Sequence, residues 1–115
     1  MARQRMSGKV LQQTIIELAH MYGWRAMHTP SVNVTGRDGR AVYRTPLAAD
    51  SKGWPDLVLC RPDDRLMFIE VKGDGDRLRP EQQQWLDDLR STGNEVFVWT
   101  PKELDSGAIA EALRW

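Results

Sequence analysis

Asp56, in Gly53-Trp54-Pro55-Asp56, and Glu70 and Lys72, in Ile69-Glu70-Val71-Lys72, are the residues whose types and spacing best suit chemistry. Leu57 to Cys60 and Leu66 to Val71 are short apolar runs, and the polar Arg61-Pro62-Asp63-Asp64-Arg65 between them signals a turn. The stretch therefore reads as a β-hairpin centred on Asp63. In that register Asp56 lies opposite Glu70, with Cβ atoms roughly 4.5 to 5.5 Å apart. Lys72 shares a strand face with Glu70, because side chains alternate along a strand. Two carboxylates this close repel, and one is driven toward protonation unless a cation holds both ionised. A hard divalent ion such as Mg²⁺ does this through oxygen ligands while keeping positions open for water and phosphate. It can activate a water, with the Lys72 ammonium orienting the nucleophile or neutralising the phosphate. The chemistry that fits is phosphodiester hydrolysis.

An Asp at a strand entrance and an alternating Glu-x-Lys also occur as a solvated polar edge. Here both strands are apolar on both faces, with Leu57, Leu59, Met67, Ile69 and Val71 on one and Val58, Cys60, Leu66 and Phe68 on the other. That pattern marks central strands. Charges at the end of a buried hairpin are costly unless paired or metal-bound.

The elements that must position these groups follow from periodicity. Leu11, Ile15, Leu18, Ala19 and Tyr22 recur at the spacing of one helix face over Val10 to Tyr22, with Ser7 as N-cap and Gly23 as stop. Trp24 to His28 reads as a short strand. Ser31 to Tyr43 reads as a two-stranded excursion around a Gly-rich tip. It brings Arg37, Arg40 and Arg44, which with Lys52 are the candidate nucleic-acid contacts: either a flap over a phosphate backbone or a solvated loop.

Thr45 to Lys52 is a linker, Gly53 permits a tight turn, and Pro55 fixes the backbone before Asp56. Trp54 is either a stacking aromatic or a core or lip residue. Gly73-Asp74-Gly75-Asp76 lacks the later bidentate Glu of a calcium loop. Pro80 opens a second helix that ends near Gly93, with Gln82, Trp85, Leu86 and Leu89 on one face. Gln82 on that inward face needs a polar partner, and the strand end bearing Lys72 is the nearest. Val96 to Trp99 is a strand ended by Pro101, parallel to Leu66 to Val71 through the helical crossover. Ala108 to Trp115 is a terminal helix, and Trp99 and Trp115 read as packing residues.

The 115 residues suit a single domain, 1–115, with one core. Formal net charge is zero, but residues 1 to 60 carry eight Lys/Arg against four Asp/Glu and residues 61 to 115 carry eight against twelve. The N-terminal half is thus the expected phosphate face. The lone Cys60, in a strand expected to be buried, reads as a core thiol and excludes a disulfide framework. No apolar run approaches a membrane span or a secretory signal, so no membrane partner and a cytoplasmic location are expected.

Gly-Trp-Pro-Asp56 followed by Glu70-Val71-Lys72 resembles the PD-(D/E)XK nuclease signature. Leu78-Arg79-Pro80-Glu81-Gln82-Gln83-Gln84-Trp85-Leu86 and Gly93-Asn94-Glu95-Val96-Phe97-Val98-Trp99 extend the resemblance to the virus-type replication-repair nuclease (VRR-NUC) branch, from about Leu11 to Leu113. The resemblance implies an α/β fold with a restriction-endonuclease-like αβββαβ core, a mixed central sheet, an inserted basic β-hairpin and a short C-terminal helix. It implies a metal-dependent DNA endonuclease of replication, repair or recombination, similar to Holliday-junction resolvases, with Mg²⁺ or Mn²⁺ as cofactor, DNA, branched or not, as substrate, and a homodimeric state. Asp56, Glu70, Lys72 and Gln82 would be catalytic, with Asp56, Glu70 and Val71 holding the metal.

One departure stands out. Many such nucleases carry a further glutamate on the first helix, near the position of Gly8 here. Glu17 should point outward, about 200° from the Ile15 side. Gln12 and His28 are left as groups that could approach the site. The alternative function is a non-catalytic DNA-binding or assembly module that keeps the fold around a degenerate site.

Overall fold

Leu11, Ile15 and Ala19 form the apolar stripe that seats helix α1 (Gly8–Met21), and all three are fully buried while Glu17 is exposed. The Ser7 hydroxyl accepts from the Val10 amide at 3.2 Å, the expected N-cap. The computed structural model describes residues 4–29, 32–35, 41–44 and 49–115. After α1 come β1 (Arg25–His28), β2 (Val32–Thr35), β3 (Ala41–Arg44), β4 (Leu57–Arg61), β5 (Arg65–Val71), α2 (Pro80–Ser91), β6 (Glu95–Trp99), α3 (Pro101–Asp105) and α4 (Ala108–Arg114).

The central sheet has the order β1-β4-β5-β6. Its first two pairings are antiparallel and β5 with β6 is parallel, so the sheet is mixed and the core order αβββαβ, a restriction-endonuclease-like arrangement. Strands β2 and β3 pair antiparallel from Val32↔Arg44 to Thr35↔Ala41, as a separate excursion. Arg37 and Arg40 at its tip, and the side chain of Arg44, lie outside the described residues.

The hairpin register is Leu57↔Ile69 through Arg61↔Arg65, which carries Asp56 to Glu70 at its open end. Asp63 turns it with φ 62°, in the left-handed region that Asp tolerates better than most residues. On one sheet face α1 and α4 bury Leu57, Leu59, Met67, Ile69, Val71 and Trp99. On the other, Leu86 of α2 packs on Phe68 and Val96.

That second layer reaches Trp54 and Val58 beside β5 and β6 and includes no residue of β1. Cys60 is exposed rather than a core thiol, and its cross-strand partner Leu66 and Met27 are exposed with it, because the cluster around Leu86 does not extend to them. Trp115, expected to pack, is 72% exposed: it follows the end of α4 and its indole donates to Glu111 of that same helix at 2.8 Å. Helix α3 is unanticipated. Pro101 does end β6, but it also opens a helix capped by Thr100 and Glu103. No helix among the described residues is long and apolar enough to cross a membrane.

Two anchors fix the ends of the chain. At the closed end of the hairpin, Arg61 and Arg65 sit over the Trp24 ring at 4.8 and 5.3 Å and donate to the Leu113 and Ala112 carbonyls, at the helix end where cations are favoured. At the open end, the Met6 amide donates to Asp74 Oδ2 at 2.8 Å, and the Asp74 amide returns a bond to the Met6 carbonyl at 2.9 Å. The Asp76 carboxylate accepts from the Gly73 amide at 2.8 Å. The Gly-Asp-Gly-Asp segment thus spends both carboxylates on backbone amides.

A Cβ on Gly73 would fall on the Gly8 amide nitrogen and the Ser7 carbonyl carbon. Gly73→Ala is expected to cost about 1–3 kcal/mol, the usual toll of overpacking. Urea unfolding would show it as a lower midpoint at unchanged slope.

Candidate active site

Asp56 reaches the head of β4 through a loop held on three sides. Gly53 has φ +87°, and a Cβ there would lie 2.5 Å from the Glu81 carbonyl, so only glycine lets the loop touch the start of α2. Trp54 packs edge-on against Phe68 and Trp85, which makes it a packing residue, and Pro55 is fully buried. From the end of β1, the Thr29 amide donates to the Asp56 carbonyl at 3.0 Å and its hydroxyl to the Pro55 carbonyl at 3.3 Å. The Asp56 side chain is aimed in turn, because its Oδ2 accepts the Val71 amide at 2.8 Å.

Glu70 is 1% exposed, and its Oε2 has no hydrogen-bond partner. Burial, then the hydrogen bond and charge of Asp56, push its carboxyl up to about 9, with Lys72 pulling the other way. The Lys72 ammonium lies 4.0 Å from Glu70 Oε1 and donates to Gln82 Oε1 at 2.8 Å. That same Gln82 oxygen accepts the Arg79 amide at 2.8 Å, so it secures the start of α2 and aims Lys72 together. Asp56, Glu70, Lys72 and Gln82 are thus brought together, with Val71 joined through its main chain.

This donor set fits a hard cation. An ion between the carboxylates would give Glu70 Oε2 the partner it lacks. Among the described residues no three His, Cys, Asp or Glu side chains converge. Remaining ligands would come from the Val71 carbonyl, water or substrate, as a Mg²⁺-like ion accepts.

Asp56 and Val71 line a cleft of about 480 Å³ together with Gly8, Lys9, Gln12, His28 and Thr29. Gln12 and His28, the two groups left open by the sequence, therefore both border the site. Lys9 and Thr29 were missed. The signal for Lys9 was its place beside Gly8, and for Thr29 its place one residue past His28. Lys52 is elsewhere, 84% exposed and 3.9 Å from Glu81.

In the fold Glu70 keeps its proton to about pH 9, whereas an unfolded chain releases it near the usual 4.5. The folded state holds the extra proton across that window, so without a cation stability falls as pH rises from about 4.5 to about 9. Thermal melting in chelator should show this decline, and Glu70→Gln should flatten it.

The VRR-NUC domain model matches residues 10–102. Among curated proteins the chain is similar to Fanconi-associated nuclease 1 of Danio rerio, 47% identical over 47 residues, covering 40% of this chain and 5% of that one. The protein of the same name from Ailuropoda melanoleuca is 44% identical over 57 residues, covering 45% and 6%. The Fanconi-associated nuclease 1 homolog of Dictyostelium discoideum is 39% identical over 62 residues, covering 42% and 6%. The matched stretches thus span only a small fraction of these much longer relatives. No solved structure gives a significant match.

Proposed function

Because the chain belongs to the VRR-NUC domain family, we propose that it is a metal-dependent DNA endonuclease acting in replication, repair or recombination. The observation that carries this reading is the buried, half-partnered Glu70 carboxyl against Asp56, with Lys72 held beside it by Gln82. The relatives' names as nucleases support it.

Asp56, Glu70 and the Val71 carbonyl would hold Mg²⁺ or Mn²⁺, which when bound supplies positive charge to a phosphate oxygen and lowers the pKa of a water. The chain does the rest. Gln82 occupies one hydrogen of the Lys72 ammonium, leaving the others for a phosphate oxygen or the attacking water. The Val71 amide fixes the Asp56 carboxylate, and Thr29 fixes its backbone, so the acceptor geometry is set before substrate arrives. Preference for branched DNA and a homodimeric form belong to the same proposal, on the strength of the family resemblance.

A second reading, a DNA-binding module with a silent site, is favoured by one observation: no third carboxylate joins Asp56 and Glu70 among the described residues. Incubation with supercoiled, linear and four-way-junction DNA in Mg²⁺ or Mn²⁺ separates the two. Cleavage is expected from the parent, abolished by chelator and reduced on the order of 10²-fold or more in Glu70→Gln and Lys72→Ala. Binding without cleavage, or variants as active as the parent, would establish the second reading instead.

A further inference from the structure

Two clefts of about 480 Å³ each flank the catalytic end of the sheet, and they differ in charge. One opens on Asp56 and Val71. Its walls are Gly8, Lys9 and Gln12 from the start of α1 and His28 and Thr29 from the end of β1. The first turn of α1 contains no acidic residue, and Lys9 and His28 are both exposed, with no charged partner among the described residues. Asp56 is the one acid of this lining, and its charge is the one a bound cation would neutralise.

The other cleft runs between residues 49–52 and the outer side of α2. It sets Asp50, Glu81 and Asp88 against Lys52, and Lys52 is already 3.9 Å from Glu81. A polyanion entering there would meet an excess of like charge, which electrostatic complementarity disfavours.

Resting on the nuclease reading above, the geometry points to the α1–β1 cleft as the path of the scissile DNA strand. Lys9 and His28 contact the phosphates that flank the reacting one, and the Gln12 amide offers a further hydrogen bond to the strand, while the Thr29 hydroxyl stays on the Pro55 carbonyl. The α2 groove, Lys52 included, stays off the DNA. These contacts go to phosphate rather than to base edges, so they position the strand without reading its sequence. Lys9 occupies the turn of α1 where many related nucleases place an acid, so this wall of the cleft offers a phosphate contact in place of a metal ligand.

The test measures binding of fluorescein-labelled duplexes of two unrelated sequences by anisotropy across a salt series. It uses the parent protein in chelator and, separately, the Glu70→Gln background, so that substrate persists. Lys9→Gln is expected to weaken binding roughly tenfold at low salt, equally on both sequences, and to lower the slope of log affinity against log salt by about 1. His28→Ala weakens binding on both sequences, and Lys52→Gln binds as the parent does. Lys9 and Lys52 are exposed, so unchanged melting temperatures should accompany both variants.

Parent-like binding by Lys9→Gln and His28→Ala, or a loss confined to Lys52→Gln, overturns the proposed path even if the parent cleaves DNA. If the parent fails to cleave while the Lys9 and His28 losses appear, the cleft stands as the DNA-binding path and the nuclease reading falls.

Discussion

Burying the Glu70 carboxyl costs free energy that the rest of the fold must supply, since a polar group removed from water without partners is penalised by several kcal/mol. Glu70 is the last residue but one of β5, a strand covered on both faces, by α1 and α4 on one and by α2 on the other. Its neighbours Phe68, Ile69 and Val71 are buried apolar residues, so the strand that carries it is held in the interior. Asp56 and Lys72 answer this burial only in part, and one oxygen stays unmatched. A buried carboxyl left half-partnered in this way marks a candidate functional site.

The precision of the arrangement comes from backbone as much as from side chains. Gly53 lets the loop before Asp56 rest against α2 at Glu81 and Gln82, and Gly73 lets the chain after Lys72 rest against the start of α1. The open end of the hairpin is therefore gripped from both faces of the sheet, each time at a position where a methyl group would not fit. Gln82 joins the two kinds of restraint, because one oxygen both satisfies an orphan amide of α2 and orients the ammonium.

Much of this could be read from residue order. The polar block Arg61 to Arg65 fixed the centre of the hairpin, and from that the register that sets Asp56 toward Glu70 followed by counting. Gln82 was legible from its spacing to Trp85, Leu86 and Leu89. Periodicity failed where coverage depended on tertiary extent: Cys60 and Leu66 alternate as core residues do, but no helix among the described residues buries them. Helix α3 is hidden because Pro101 reads first as a strand stop, though Thr100-Pro101-Lys102-Glu103 carries a capping box. The grip of Gly73 on Gly8 joins segments far apart in the chain, and no local pattern announces it. The side chains of Arg37, Arg40 and Arg44 lie outside the described residues, so the sequence alone speaks for them.

The pairing of Met6 with Asp74 couples the N-terminal segment mechanically to the end of β5. Asp74 stands two residues beyond Lys72, and the Met6–Asp74 bonds run both ways, so tension or crowding applied ahead of Arg5 is passed to the strand that carries Glu70 through a very short path. The opposite end is different. Arg61 and Arg65 moor α4 at the closed end of the hairpin, a strand's length from the carboxylates. An affinity handle or fused domain attached after Trp115 is thereby insulated from the Asp56–Glu70 pair, whereas one attached at the start is mechanically in series with it.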